Sequence, residues 1–224
     1  MKKQKYIPVR RRKALRRLLL LAALLTAVAL NIVPCRFLPS QALRDFENDR
    51  LTGRTKVIEV IPRPPMKLPG LWRFTLSENE NAVVFSGQRF RFLLGWVYDG
   101  GAECDCSGGE APVYAAYNHL DYHTIDNQCY VFFGRVADPR IEALEIIADY
   151  SEYQKELSPS ILCPKQKFYT EGKSQAFCLC AVPELHYNEH GYAIPCKPLL
   201  NAYDAEGMLI YSEHIDQGWS TSIG

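Results

Sequence analysis

The sequence predicts a mainly β chain: a β-sandwich or open barrel ectodomain behind a single N-terminal transmembrane helix and a short membrane-proximal helix. Three observations lead there. Short alternating runs rich in β-branched and aromatic residues recur along the chain, with Gly, Pro or Asp between them. Three Trp, thirteen Tyr and ten Phe supply the rings that such sheets bury. A basic head runs directly into an apolar stretch.

That head is residues 1–17, with nine Lys or Arg and no acid. The other residues hold 26 − 9 = 17 basic and 25 acidic side chains, a net of −8. The basic run leads into apolar sequence, which argues against nucleic acid as the partner. The uncharged stretch from Leu18 to Val33 is 16 residues, against about 20 for a full span. It is long for a signal-peptide core of about 7 to 15 residues. An uncleaved signal anchor over 18–33 is the preferred reading, and a signal cleaved near the Ala27-Val28-Ala29 motif is the second. The positive-inside rule then keeps the N-terminus cytoplasmic and places the C-terminal domain outside the cell membrane. Cys35 follows Pro34, where a lipoprotein pattern wants a small residue.

Residues 34–53 form a membrane-proximal segment. Its "PSQALRDFENDR" has Ser40 at a helix start, Ala42, Leu43 and Phe46 on one face, and Gly53 as a stop. Residues 54–224 form the β domain, about the size of one domain with a real core. "TKVIEVI" reads as its first strand. Pro62, Pro64, Pro65 and Pro69 forbid helix and central strand after it. "LWRFTL", "AVVFS" and "RFRFLLGWVY" read as strands, and "DGGAECDCSGGEAP" as a Gly-rich loop. "QCYVFFGRV", "AFCLCAV", "PLLNAYD" and "MLIYSE" are further strands, with "DAEG" a hairpin tip. Residues 141–157 suit a strand in their first half, after the Asp138-Pro139 turn, and also fit a helical period.

"GRVADPRIEALEI" and, some way on, "YDAEGMLI" resemble a pattern of uncharacterised membrane-anchored extracytoplasmic proteins of Gram-positive bacteria. The resemblance spans about residues 132–212. It implies a strand, an Asp-Pro turn, a second strand and a closing hairpin, and no activity. Gly134, Pro139 and Gly207 read as backbone residues of those turns.

Cysteines are the side chains most suited to chemistry. Outside the cell they tend to pair, so Cys104, Cys106, Cys129, Cys163, Cys178, Cys180 and Cys196 are disulfide candidates. Two Cys-x-Cys units stand out. On a strand Cys178 and Cys180 share a face with Cα atoms about 6.6 Å apart, close to the disulfide limit of about 6.8 Å. Pairing across strands is preferred to pairing with each other. Cys104, Cys106, Cys178 and Cys180 are also candidate ligands of a soft metal, although the usual spacing is C-x₂₋₄-C. His119 with His123 and His186 with His190 have i, i+4 spacing, but in strand or loop sequence, where about 13 Å separates them. Asp99, Glu103, Asp105 and Glu110 depart from a calcium-loop spacing. No nucleophile elbow and no phosphate-binding glycine loop is present.

No catalytic residue and no cofactor is indicated, and the reading leans away from an enzyme. The expected function is a non-catalytic membrane-anchored binding or interaction domain for a protein or envelope component. The alternative is a thiol- or metal-dependent extracytoplasmic enzyme that uses the Cys-x-Cys pairs.

Overall fold

The structure is a computed structural model. It describes residues 9–32, 35–50, 52–61, 66–92, 95–121, 128–154, 157–167, 175–184, 186–191 and 194–221. Helix α1 runs Val9–Ile32 and helix α2 Pro39–Arg50. Among the described residues no helix is long and apolar enough to cross a membrane. This overturns the transmembrane signal anchor over 18–33. The single-pass membrane partner, the cytoplasmic N-terminus and the extracytoplasmic placement of the domain lose their basis with it. The physical reason is charge. α1 starts inside the basic run and takes Lys13, Arg16 and Arg17 into the same helix, and its uncharged part, 18–32, falls short of a span of about 20 residues.

The body is built of strands. One sheet has the order β1 (Cys35–Arg36), β5 (Gly95–Asp105), β4 (Ala82–Arg91), β3 (Leu71–Glu78), β2 (Lys56–Ile61), and β14 (Trp219–Thr221) also pairs with β5. A second has the order β10 (Ala176–Ala181), β7 (Gln128–Val136), β6 (Val113–Asp121), β13 (Asp216–Gln217). The third has β12 (Leu209–His214), β11 (Lys197–Tyr203), β8 (Ala143–Asp149), β9 (Ser160–Lys167). The mainly β content is as the strand patterns predict. The two-layer sandwich or barrel is not, because the second sheet is a middle layer with both faces buried. Phe133, Val131 and Cys129 pack with Phe74, Leu76 and Phe85 of the first sheet. Phe132, Val136 and Phe177 pack with Leu144, Ile146 and Leu200 of the third. Strand β7 therefore reads as a continuous apolar run, the mark of a strand covered on both sides.

Three local readings change. "DGGAECD" belongs to β5 instead of a Gly-rich loop. A Cβ at Gly101 would lie 2.6 Å from the Phe85 carbonyl oxygen and 3.2 Å from the Phe46 ring. The glycine is there to let strand and helix approach. "AVVFS" and "RFR" form one strand, and the chain reverses before Gly95, whose φ is +86°. Gly134 has no positive φ. Its added Cβ would fall 1.9 Å from the Tyr114 carbonyl oxygen, so close pairing of β6 and β7 requires it. Strands β6 and β9 have no counterpart among the strand runs read from sequence. The first half of 141–157 is strand β8. It follows a turn in which the Ile141 amide donates to the Asp138 carbonyl at 3.1 Å.

Helix α2 covers the outer face of the first sheet. Ala42, Leu43, Phe46 and Glu47 are buried. Beneath them lies a polar layer that is unusual for a sheet face: Thr55, Thr75, Ser77, Ser86 and Gln88 are all buried. The Glu47 carboxylate accepts from the Thr55 amide at 2.8 Å and from Arg44 at 2.7 Å, and the Thr55 hydroxyl links it to Ser77.

Candidate functional site

The two Cys-x-Cys units and Cys129 all belong to the core between the first and second sheets. Register explains the grouping. Cys178 stands opposite Phe133 and Cys180 opposite Val131. Alternation along β7 then brings Cys129 to the same face, diagonal to Cys180. The Cys129 and Cys178 thiols both meet the Cys180 sulfur, and the Cys129 thiol also lies 3.5 Å from the Tyr130 carbonyl, to which it donates. Those two contacts pull the Cys180 pKa down to about 4, and burial works against them. The same contacts, with burial, raise Cys129 and Cys178. A smaller version sits at the end of β5, where the Cys104 and Cys106 sulfurs meet and the Cys106 thiol donates to the Cys104 carbonyl at 3.5 Å. The contact between the two sulfurs raises Cys104 and lowers Cys106, and the nearby Arg135 guanidinium favours the thiolate at both.

Cys163 lies in the other core, and burial pushes it up to about 12. Cys196 is raised by burial and meets the Tyr130 hydroxyl. All seven described cysteines are free thiols, so the expected disulfides are not formed. The cysteines are divided between two cores, and within each Cys-x-Cys unit the alternate positions of one strand are badly spaced for a bond. The Cys35 side chain lies outside the described residues. Cys104, Cys106, Cys178 and Cys180 do not converge as one ligand set. Among the described residues no group of three or more His, Cys, Asp or Glu could hold a metal ion.

The histidines are dispersed as their strand and loop settings suggest. His119 contacts Gln128 at 3.1 Å and packs on the Tyr130 ring. His186 stands edge-on to Tyr150, and His190 is exposed beside Glu189. His123 lies outside the described residues. The acids of the expected loop separate too. Asp99 is paired with Arg89, and burial raises its pKa.

Glu103 and Asp105 instead face a cleft of about 360 Å³ where the three sheets meet. Its opposite wall carries Tyr211, Glu213, His214 and Asp216. Four of its lining side chains are carboxylates and none is Lys or Arg. Glu103 accepts from the Thr52 hydroxyl at 2.8 Å. Asp105 accepts from the Ser107 amide at 2.8 Å and its hydroxyl at 2.6 Å, bonds that lower its pKa and keep it ionised. The Tyr211 hydroxyl donates to Glu213. Sequence reasoning missed Glu213 and Asp216. The only signal was the alternation of "LIYSEH", which sets Tyr211 and Glu213 on one face; nothing in sequence placed that face against β5.

No protein-family model, curated protein or solved structure matches this chain.

Proposed function

We propose that the chain is a non-catalytic binding module and that the cleft at the meeting of the three sheets takes a cationic segment of a protein partner. The carrying observation is the cleft's charge: Glu103, Asp105, Glu213 and Asp216 with no Lys or Arg in the lining. Like charges held close favour a ligand that brings the opposite sign, and such recognition weakens with salt. Tyr114 and Tyr211 add aromatic faces for a Lys or Arg stem. Titration of the full chain with a Lys- and Arg-rich peptide tests this, beside an Asp- and Glu-rich peptide of equal length. The basic peptide should bind at low salt and lose affinity as salt rises. Paired Glu103→Gln and Asp216→Asn substitutions should weaken it about tenfold or more. Equal binding of the two peptides, or none, would reject the reading.

A second reading, thiol chemistry, has one observation of its own: the acidified Cys180 between Cys129 and Cys178. A thiolate is the nucleophilic form. Cys180 is ionised across neutral pH and gains its proton only as pH falls toward about 4. Absorbance of the thiolate near 240 nm should persist to that pH and vanish in Cys180→Ser. An ordinary thiol titration above pH 8 in the native protein would remove this reading.

A further inference from the structure

One grouping in the first core serves neither the acidic cleft nor the sheet packing: the sulfurs of Cys129, Cys178 and Cys180 meet on one face of the second sheet. Two of the three come from β10, an edge strand that pairs only with β7 among the described residues. Cys178 and Cys180 are half-buried there, while Cys129, on β7, is fully buried. Residues that solvent reaches therefore meet one that it does not.

The three positions differ in what they can do. The pairing of β10 with β7 ends at Ala181 opposite Tyr130, so Cys180 is the next-to-last residue of the ladder and Cys129 lies one step beyond its end. Past that end Val182 is exposed and outside the strand. The backbone at Cys180 is thus less restrained than the ladder's interior, and closing a sulfur contact into a bond needs only a small shift. Cys178 is held inside the ladder, opposite Phe133. It stands two residues along the same strand from Cys180, a spacing near the disulfide limit of about 6.8 Å. Cys129 is therefore the better placed of the two to bond Cys180. Contact with Cys129 and Cys178 holds Cys180 as a thiolate, the form that attacks an electrophile. Contact with Cys180, burial and the Glu59 carboxylate keep Cys178 protonated.

We propose that this cluster is a site of oxidation by hydrogen peroxide, in which Cys180 is oxidised first and Cys129 then closes onto it. The inference rests on the thiolate reading of Cys180 and adds the reactant, a peroxide small enough for a half-buried side chain. The Cys180 sulfur attacks one peroxide oxygen. An S–O bond forms, the O–O bond breaks, and the departing hydroxide takes a proton from solution to become water. The sulfur has given up an electron pair, and Cys180 stands as a sulfenic acid. The Cys129 sulfur then attacks the Cys180 sulfur. An S–S bond forms, the S–O bond breaks, and the leaving hydroxide takes the Cys129 proton as the second water. One peroxide is reduced and two thiols are oxidised. All seven described cysteines are free in the resting chain, so this bond is a product of reaction and not a part of the fold. It ties the edge strand β10 to β7, and a small thiol reverses it.

Equimolar hydrogen peroxide added to the reduced, folded full chain at neutral pH tests this, with peptide mapping by mass spectrometry after the remaining thiols are alkylated. The expected product is a Cys129–Cys180 link within one chain, lighter by two hydrogens and reversed by dithiothreitol. Cys178→Ala should still form that link. Cys129→Ala should stop at Cys180, as a sulfenic acid that dimedone captures. Cys180→Ala should slow loss of the Cys129 thiol by about tenfold or more. Thiolate absorbance of the same sample separates this proposal from the reading beneath it. Absorbance that persists toward a pH of about 4 without the link leaves the thiolate reading standing and overturns the proposal. An ordinary thiol titration of Cys180 would overturn both. A first bond to Cys104, Cys106, Cys163 or Cys178, a link between chains, or a Cys180 left reduced while other cysteines oxidise would each overturn the proposal alone.

Discussion

At the scale of single residues, two kinds of glycine do different work. Gly207 has φ +84° in the hairpin between β11 and β12, where its amide donates to the Asp204 carbonyl at 3.1 Å. Gly134 has ordinary strand geometry but no room for a side chain, with the Tyr114 carbonyl oxygen 1.9 Å from where a Cβ would stand. A backbone atom cannot swing aside as a flexible side chain can. Gly207→Ala should therefore cost about 1 kcal/mol, the left-handed penalty. Gly134→Ala should cost about 3 kcal/mol or more, since overpacking against backbone forces strands apart. Urea denaturation of the two variants checks the ranking, and equal losses would contradict it. The cysteines belong at this scale as well. Their types and spacings are visible in sequence, but contact between Cys129 and Cys180 depends on the register of β7 and β10, which no spacing rule supplies.

At the scale of elements, α2 is the instructive case. Its apolar face was legible from Ala42, Leu43 and Phe46, and the described helix, Pro39–Arg50, nearly matches that reading. What holds it in place was not legible. Phe46 is fully buried and meets the Tyr98 ring edge-on at 5.0 Å, over the flat patch left by Gly101. Glu47 is buried too, and its bonds run to Thr55 and to Arg44. A glutamate in a helix reads as a solvated charge until the sheet beneath proves polar. Glu47→Ala leaves the Thr55 amide and hydroxyl to find other partners. It should destabilise by about 2–4 kcal/mol, since the lost bonds are charge-assisted and buried, with the half-exposed Arg44 counting for little. Amide exchange should quicken through 39–50 before it does in β7. A loss under about 0.5 kcal/mol would show that the helix is held by its apolar face alone.

At the scale of the whole molecule, the middle sheet ties two cores together. Phe132 and Phe133 are neighbours in sequence and point to opposite cores, both fully buried. Phe→Ala at either position should cost about 3–5 kcal/mol. Because β7 serves both cores, each variant should also lower the stability of the other core, and unfolding should remain one transition by every probe. Tryptophan fluorescence reports the first sheet through Trp72, and far-ultraviolet circular dichroism reports all three sheets. Two separate midpoints in Phe132→Ala would mean that the third sheet unfolds on its own. The acidic cleft has the same origin: β5, β6, β11, β12 and β13 each supply part of its lining, so loss of any sheet dissolves it.

Much of the element content followed from local pattern. Alternation and β-branched residues marked most of the strands, Asp138-Pro139 and "DAEG" marked turns, and a mainly β chain followed. These features act within a few residues, and local sequence carries them. Pairing decided the rest. Glycines that looked like a loop became β5, because strands on either side and Phe46 above needed backbone without side chains. The apolar run after the basic head looked like a membrane span, while the described helix winds its charges into the same cylinder and falls short of one. The stacking of three sheets, the thiol contact at Cys180 and the four carboxylates of the cleft all join residues distant in the chain. Only tertiary structure brings them together, because burial, register and desolvation are properties of neighbours in space and not of neighbours in sequence.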